Sequence, residues 1–425
     1  MAAAIAAAFA APAAIAQSTL TIGGTVNIMY DYVKAGGNTG GDVAGGANNS
    51  LKAHDRVRDG ALSNIHFSVT EDLGGGNSAF VQVESAVIQN SDTRSNVVGS
   101  AAVTGGWGNR NSAIGVRSKA AGRFLIGVWD LHYNELYAIE PGHPITNTAA
   151  GMLALMNNFG SGFSLSPVIG TRYGNIIRWD SPVWGGFSIT AAYARPTDSA
   201  PVNSPGDVRD GKNNRAWGIA PRFESGGLQV RYSYLQDKDI ATNATISLAG
   251  TPMFGGGAVA AISKITGNRL GARYKFGNGF GVGLVWDSSK WSTSTNTAGA
   301  QMDVKRDVWS LPLTFETGNH LLFGTYAQAN DWSGSLGGTS WSATTNPAAI
   351  GGTAAGSLSF GSETGAKFYS LGYSYRLSKR TNVHATYQKI RNEALVRYDF
   401  YLNSSGSTAV GADPESWAFG IRHTF

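Results

Sequence analysis

The hairpin that decides the fold spans residues 366–392 and consists of "AKFYSLGYSYRLS" (366–378), "KRT" (379–381) and "NVHATYQKIRN" (382–392). In the first run, large apolar side chains alternate with mostly small or polar ones. One face holds Tyr369, Leu371, Tyr373, Tyr375 and Leu377, and the other holds Phe368, Ser370, Gly372, Ser374 and Arg376. Alternation of this length predicts a β-strand with one apolar face. The tight connection predicts an antiparallel partner strand.

The same pattern recurs along the whole chain. Strand-like runs are predicted at 19–32, 61–71, 78–88, 110–118, 123–129, 172–181, 186–195, 214–224, 227–237, 267–277, 279–290, 305–316, 320–330, 366–378, 382–392 and 414–425. Tight connections, such as 225–226 and 378–381, alternate with long ones at 33–60, 130–171, 238–266 and 331–365. Short turns on one rim and long loops on the other predict an all-β fold, a 16-stranded antiparallel transmembrane β-barrel.

The run "ESWAFGIRHTF" (415–425) supports a closed barrel. Its alternate residues Trp417, Phe419, Ile421 and Phe425 are large and apolar. Unpaired backbone groups in lipid cost several kcal/mol each, so this strand is expected to pair with the first one. The four apolar side chains are then expected to face lipid.

Composition favours strands over helices. The chain has 57 glycines, 13 prolines, no cysteine and 14% charged residues, against about 25% charged residues in an ordinary soluble domain. After residue 16, no apolar stretch reaches the roughly 20 residues of a spanning helix, which excludes a helical membrane protein. A net charge of +5 without a basic block argues against nucleic-acid binding. No metal or cofactor motif is present.

The first residues read "MAAAIAAAFAAPAAIA" and end in the A-x-A pattern of Ala14, Ile15 and Ala16. This pattern predicts a cleaved signal peptide at 1–16, followed by a single barrel domain at 17–425. No basic residue precedes the apolar run, so a buried N-terminal helix stays open as an alternative.

Several segments carry a family resemblance. They are "TLTIGGTVNIMYDY" (19–32), "SNIHFSVTEDLGGGNSAFVQVES" (63–85), "GNRNSAIGV" (108–116), "RYGNIIRWDSPVWGGFSITAAYA" (172–194), "YSLGYSYRLSKRTNVHATYQ" (369–388) and "FGIRHTF" (419–425). In this order they resemble the Gram-negative general porins of β-proteobacterial type, from about Thr19 to Phe425. The resemblance implies an outer-membrane pore for passive diffusion of ions and small hydrophilic solutes.

The resemblance also implies a constriction loop that follows the fifth strand and folds into the lumen. Its expected carboxylates are Asp130, Glu135 and Glu140, and the arginines expected to face them are Arg110, Arg172 and Arg178. Arg172 and Arg178 lie six residues apart on one strand, which predicts a shared face, with Tyr173, Ile177 and Trp179 facing lipid. Thr25 and Asn64 stand where relatives often carry a basic residue, and the common "PEFGG" turn is missing. The resemblance therefore implies weak charge selectivity.

Strand parity adds lumen-wall candidates, namely Asn64, His66, Gln82 and Glu84. The resemblance further implies a homotrimer that contacts outer-membrane lipid and lipopolysaccharide. It also implies that barrel-assembly machinery recognises the terminal strand, through Trp417, Phe419, Ile421 and Phe425.

Three other functions remain open at this point. A solute-specific channel would hold its substrate along a track in the lumen, and a plugged adhesive barrel would not conduct. A barrel enzyme would need a serine placed with a histidine base, but no G-x-S-x-G context occurs. The sequence therefore favours a channel over a catalyst.

Overall fold

A computed structural model describes most of the chain. The described residues are 18–37, 51–60, 63–87, 107–132, 135–136, 139, 153–157, 169–195, 215–238, 245–246, 260–293, 301–336, 339–341, 363–394, 396–400, 405–406 and 411–425. The predicted signal peptide at 1–16 lies outside them. Within these ranges, no helix has the length and apolar character needed to cross a membrane.

Twenty strands and one short helix, Leu153–Met156, make up the described structure. The strands are β1 Ser18–Gly36, β2 Leu51–Asp59, β3 Asn64–Gly74, β4 Asn77–Ala86, β5 Ser112–Ser118, β6 Gly122–Leu131, β7 Thr171–Asp180, β8 Phe187–Ala194, β9 Arg215–Ser225, β10 Leu228–Lys238, β11 Thr245–Ile246, β12 Ala260–Lys275, β13 Phe280–Thr293, β14 Met302–Thr317, β15 His320–Ala329, β16 Ser333–Leu336, β17 Thr339–Trp341, β18 Ala366–Arg376, β19 Thr381–Asn392 and β20 Asp413–Thr424.

Sixteen of these strands form the barrel wall. Each pairs antiparallel with its neighbour in the order β1, β3 to β10, β12 to β15 and β18 to β20, and β20 returns to β1. The predicted 16-stranded barrel is therefore confirmed. Its short turns share one rim, and β-barrels of this kind remove every open sheet edge by closure.

The closing seam joins the two terminal strands. Their register runs from Thr25 opposite Thr424 to Gly36 opposite Asp413. Gly24 and Phe425 exchange two backbone hydrogen bonds, of 3.2 and 3.1 Å. A side chain at position 24 would place its Cβ 2.3 Å from the backbone oxygen of Asn64, so the seam requires glycine there. The four apolar residues of the terminal run point outward and are exposed, as expected for a lipid face: Trp417, Phe419, Ile421 and Phe425.

Four short strands lie within segments that the sequence predicted as long connections. The clearest is β2, which pairs with the upper half of β1 from Ile28 to Ala35, whereas β3 pairs only with the lower half. Arg56 and Arg58 on β2 form ion pairs with the buried Asp31, at 2.8 and 3.5 Å. The extra strand supplies hydrogen-bond partners that the upper half of β1 would otherwise lack.

Apolar residues inside the barrel mark where a loop fills it. Leu136, Ile139, the helix Leu153–Met156 and Ile169 are buried together with inward-facing wall residues such as Val285 and Phe368. All of these loop residues belong to the connection between β6 and β7. The barrel interior is therefore partly packed by this connection, which we call the constriction loop.

Candidate pore constriction

The constriction loop leaves the wall at His132, directly after β6. His132 has a left-handed backbone with φ of 73°, an uncommon conformation for a residue other than glycine. Its Nδ1 lies 2.8 Å from Ser233 Oγ on β10, and a Cβ at Gly267 on β12 would lie 2.7 Å from its Nε2. The chain thus turns inward at once and reaches strands on another part of the wall.

The next loop residues lie against inward-facing glycines. A Cβ at Gly271 would come within 3.1 Å of Leu136 and 3.2 Å of Ile139, and one at Gly283 within 3.4 Å of Ile139. Glycine at these wall positions leaves room for the loop side chains. The predicted inward fold of the loop is present in the described residues.

Glu135 lies at the centre of a group of arginines. Its Oε2 accepts hydrogen bonds from Arg222 on β9, from Nε at 3.0 Å and from Nη2. Its Oε1 lies 3.7 Å from Arg178 Nη1 on β7. The backbone oxygen of Glu135 accepts a 3.4 Å hydrogen bond from Arg231 on β10. One loop residue, Glu135, therefore contacts arginines on three wall strands through its carboxylate and its backbone oxygen.

A second carboxylate, Asp180, continues this group at the end of β7. Arg178 Nη2 lies 2.8 Å and Arg123 Nη2 2.5 Å from Asp180 oxygens, and Thr190 Oγ1 donates a 2.6 Å hydrogen bond. Charge-assisted contacts of this kind hold guanidinium groups in fixed orientations. Asp180 thereby fixes two arginines on neighbouring strands.

Two pairs of arginines face each other directly in the strand register. Arg117 on β5 lies opposite Arg123 on β6, and Arg222 lies opposite Arg231. Directly opposed like charges repel, so each needs compensation. Arg231 pairs with Glu224, while the Arg117 guanidinium lies 3.9 Å from the centre of the Phe80 ring. A guanidinium over an aromatic face is attracted by the ring quadrupole.

We call this set the arginine arc: Arg117, Arg123, Arg178, Arg222 and Arg231. It extends over the inner wall from β5 to β10, and its carboxylate partners among the described residues are Glu135, Asp180 and Glu224. The arc therefore carries two more positive than negative charges. Glu140 lies outside the described residues, and counting it would still leave one positive charge in excess.

Of the residues predicted for the constriction, Arg178 and Glu135 come together. Arg110 instead pairs with Glu84, whose Oε1 lies 2.5 Å from Arg110 Nε. Arg172 pairs with Asp130, directly opposite on β6, at 3.0 Å. These two pairs are adjacent, because Asn111 accepts a hydrogen bond from Arg172 and donates one to Asp130.

The prediction that Tyr173 faces lipid is wrong. Tyr173 is 6% exposed, and its hydroxyl donates a 3.0 Å hydrogen bond to Asp237 Oδ2 on β10. Pairing of β6 with β7 is irregular here, and Asn175 has a left-handed φ of 51°. A bulge resets the alternation of side chains, so parity no longer argues that Arg172 and Arg178 share a face. Beyond the bulge, Ile177 is exposed as predicted.

The predicted lumen-wall residues lie on β3 and β4. His66 lies opposite Glu84 on one side and Gly23 on the other, and a Cβ at Gly23 would lie 2.8 Å from its ring. Asn64 lies opposite Thr25. Gln82 Nε2 donates a 2.9 Å hydrogen bond to the backbone oxygen of Asn111. Glu84 is therefore the partner of Arg110, and Gln82 contacts Asn111, which also hydrogen-bonds Arg172.

Sequence reasoning missed Arg117, Arg123, Arg222 and Arg231. A signal was available, because each alternates with outward-facing residues, as Arg222 does with Phe223 in "PRFES" (221–225). Alternation identifies an inward face but does not show which part of that face the loop reaches. Among the residues that the structure describes, no group of three histidines or acids could hold a metal ion.

Comparisons with known proteins agree with this geometry. Residues 2–395 match the sequence profile of the Gram-negative porin family. The chain belongs to the Gram-negative porin family. It is 26% identical over 393 residues to an outer membrane porin protein of Bordetella pertussis, covering 84% of this chain and 80% of that protein. This porin is therefore an outer-membrane β-barrel that forms a diffusion channel, and it is not an enzyme.

Solved structures share the porin's fold at low sequence identity. The anion-selective porin from Comamonas acidovorans superposes with a TM-score of 0.62 at 19% identity, covering 96% of this chain and 100% of that chain. A trimer form of OmpT from Vibrio cholerae superposes with a TM-score of 0.58 at 12% identity, covering 96% and 99%. The barrel architecture of this porin is thus that of known bacterial porins.

Proposed function

We propose that this porin passes ions and small hydrophilic solutes with a weak preference for anions, set by the arginine arc. The observation that carries the proposal is the charge imbalance of the arc. Five guanidinium groups line one stretch of wall, and three carboxylates compensate them. In a narrow aqueous pore with low-dielectric walls, fixed charges of one sign raise the local concentration of ions of the other sign.

Ion pairs within the wall keep the anion preference weak. Glu135 and Asp180 each pair with two arginines of the arc, so much of its positive charge is neutralised within the wall. Arg110 with Glu84, and Arg172 with Asp130, are balanced pairs that add no net charge. The name of the Comamonas relative, an anion-selective porin, agrees with this sign.

The test is recording in planar bilayers with a salt gradient across the membrane. We expect ohmic channels whose reversal potential indicates a modest excess of anion permeability. Replacement of Arg117 and Arg231 with glutamine should move the reversal potential towards that of a cation-preferring pore. A reversal potential unchanged by the double substitution would contradict the proposal.

A solute-specific channel is the second candidate function, and the opposed arginines favour it. Arg117 faces Arg123 and Arg222 faces Arg231, so each pair offers two guanidinium groups to one anionic solute. A carboxylate or phosphate group can accept hydrogen bonds from guanidinium groups in a bidentate manner. Transport that saturates with a dicarboxylate, together with block of ion current by it, would favour this candidate over general diffusion.

Assembly and export are further parts of the proposal. We propose a homotrimer, which is supported by the trimer form of the OmpT structure, and contact of its outer face with lipid and lipopolysaccharide. Trp417, Phe419, Ile421 and Phe425 are proposed as the signal for barrel-assembly machinery, and residues 1–16 as a cleaved signal peptide. Migration of unboiled protein in gels tests the trimer, and N-terminal sequencing of the exported protein tests the cleavage.

A further inference from the structure

A second group of buried charges lies beneath the helix of the constriction loop. Arg269 on β12, Asp287 on β13 and Arg306 on β14 are adjacent on three neighbouring strands, and all three side chains are 0% exposed. Arg269 Nε lies 2.6 Å from Asp287 Oδ2, and Arg306 Nη2 lies 2.8 Å from Asp287 Oδ1. Ser289 donates a further 2.9 Å hydrogen bond to Asp287.

Both arginines also reach the loop. Nη2 of Arg269 donates a 2.7 Å hydrogen bond to the backbone oxygen of Met156, and Nη2 of Arg306 donates one of 2.8 Å to the same atom. Met156 is the last residue of the helix Leu153–Met156. A carbonyl oxygen has two lone pairs, so this one atom can accept both charge-assisted bonds.

Stability of the wall does not explain this arrangement. Burial of three charges is costly, and replacement of a buried ionic triad by apolar residues of similar volume is often neutral or stabilising. The apolar contacts of Leu153 and Leu155 would hold the helix against the wall without fixing its position along it, because such contacts are not directional. Two charged hydrogen bonds that converge on one carbonyl fix that position.

We propose that Arg269, Asp287 and Arg306 form a clamp that positions the constriction loop and thereby sets the size limit of the pore. Both hydrogen bonds to the helix end on the Met156 carbonyl, and all three clamp side chains are buried, so they act as positioning residues rather than as part of the ion path. The inference rests on the channel function of the family and is independent of the anion preference. Loss of the clamp is expected to release the loop without opening the wall.

The decisive variant removes the clamp without leaving a buried charge, as Arg269→Met, Asp287→Leu and Arg306→Met together. We expect the barrel to fold and to keep its mobility in unboiled gels. In liposome-swelling assays, permeation of sugars near the wild-type size limit should rise severalfold. Single channels should show larger and noisier conductance, because the loop no longer has one position.

A matched control exists at the rim with the short turns. Lys275 and Arg376 form ion pairs with Glu316 at 2.6 and 3.2 Å, which makes another triad of two cations and one carboxylate, but one that is exposed to water and lies away from the loop helix. Its apolar replacement, Lys275→Met, Glu316→Leu and Arg376→Met, should leave the size limit unchanged. A folded clamp variant with the wild-type size limit and quiet conductance would overturn the proposal.

A milder variant covers the case in which the triple replacement does not fold. Arg269→Lys keeps the positive charge beside Asp287 but removes the planar fork whose Nε contacts Asp287 and whose Nη2 contacts Met156. Increased current noise with an unchanged reversal potential is expected. A channel as quiet as the wild type would overturn the proposal, whereas a changed reversal potential with unchanged size limit would assign these residues to the ion path instead.

Discussion

The arginine arc and the clamp use the same chemistry in two environments of one barrel. Arc side chains such as Arg123 and Arg222 are 28% and 22% exposed, whereas Arg269 and Arg306 in the clamp are 0% exposed. Where water reaches a guanidinium group, its field acts on passing ions but its ion pairs add little stability. Where water is excluded, the same pair is a rigid connection whose rupture is costly. Exposure to water therefore decides whether an arginine of this barrel influences ion selectivity or holds the loop in position.

The largest effect is expected when only one partner of the clamp is removed. Asp287→Asn leaves two buried guanidinium groups without their carboxylate, and such a loss costs about 3 to 5 kcal/mol. The matched change in the arc, Asp180→Asn, should cost less, because water reaches Arg123, which is 28% exposed, and the buried Arg178 keeps its ion pair with Glu135. Denaturant unfolding of both variants tests this order, and equal losses would contradict the comparison.

Ion selectivity, in contrast, should depend on the arc. Arg117→Gln with Arg231→Gln is expected to reduce the anion preference in a salt gradient, because the excess charge of the arc is lost. Neutralisation of both balanced pairs, Arg110→Gln with Glu84→Gln and Arg172→Gln with Asp130→Asn, is the control, since it removes equal numbers of positive and negative charges. If the control moved the reversal potential as far as the arc variant, selectivity would not reside in the arc.

A smaller effect is expected from His132, where the constriction loop leaves the wall. Burial, and then the positive charge of Arg269, hold the pKa of His132 well below its ordinary value of 6.5. The unfolded chain therefore binds the proton more readily, so stability is full above pH 6.5 and falls as the pH drops towards the folded pKa. Closure or increased noise of wild-type channels on acidification should be reduced in His132→Asn. Asparagine also tolerates the left-handed backbone at this position.

Equal acid sensitivity of the wild type and His132→Asn would show that protonation of this imidazole does not affect the loop. His384→Gln is a useful control, because His384 lies on the wall strand β19 and hydrogen-bonds Asn27 rather than the loop. His384→Gln channels should therefore keep the acid-induced closure and noise of the wild type.

The smallest effect is expected at Glu393, in the loop after β19. Its Oε2 accepts a 2.8 Å hydrogen bond from the Gly365 backbone, and Asp331 accepts one of 2.8 Å from the Thr364 backbone. Burial, and then the hydrogen bond to Asp331, raise the pKa of Glu393 above its ordinary value of 4.5. The folded state thus binds the proton more tightly, and its advantage is lost as the pH rises from 4.5 through the folded pKa. Glu393→Gln should flatten this dependence in thermal unfolding scans.

Much of the fold was predictable from alternation alone. Strand parity located the sixteen wall strands and the outward face of Trp417 and its neighbours, whereas the inward loop between β6 and β7 was implied by the family resemblance. The bulge at Asn175 was not predicted, because asparagine tolerates a left-handed backbone but also occurs in regular strands, and the bulge reversed the orientation of Tyr173. The part of the wall that the loop contacts was equally unpredictable, since Glu135 contacts β9 and β10, which are far from it in sequence.

The closing seam has a consequence for how the barrel forms. Thr25 Oγ1 and Thr424 Oγ1 lie 3.3 Å apart although 399 positions separate them in the chain. Folding rates fall as contacts become more distant in sequence, so pairing of β1 with β20 is expected to form slowly. Until β20 meets β1, two long strand edges stay open to pairing with other chains. The nascent polypeptide consequently depends on protection from aggregation until its final segment has been delivered.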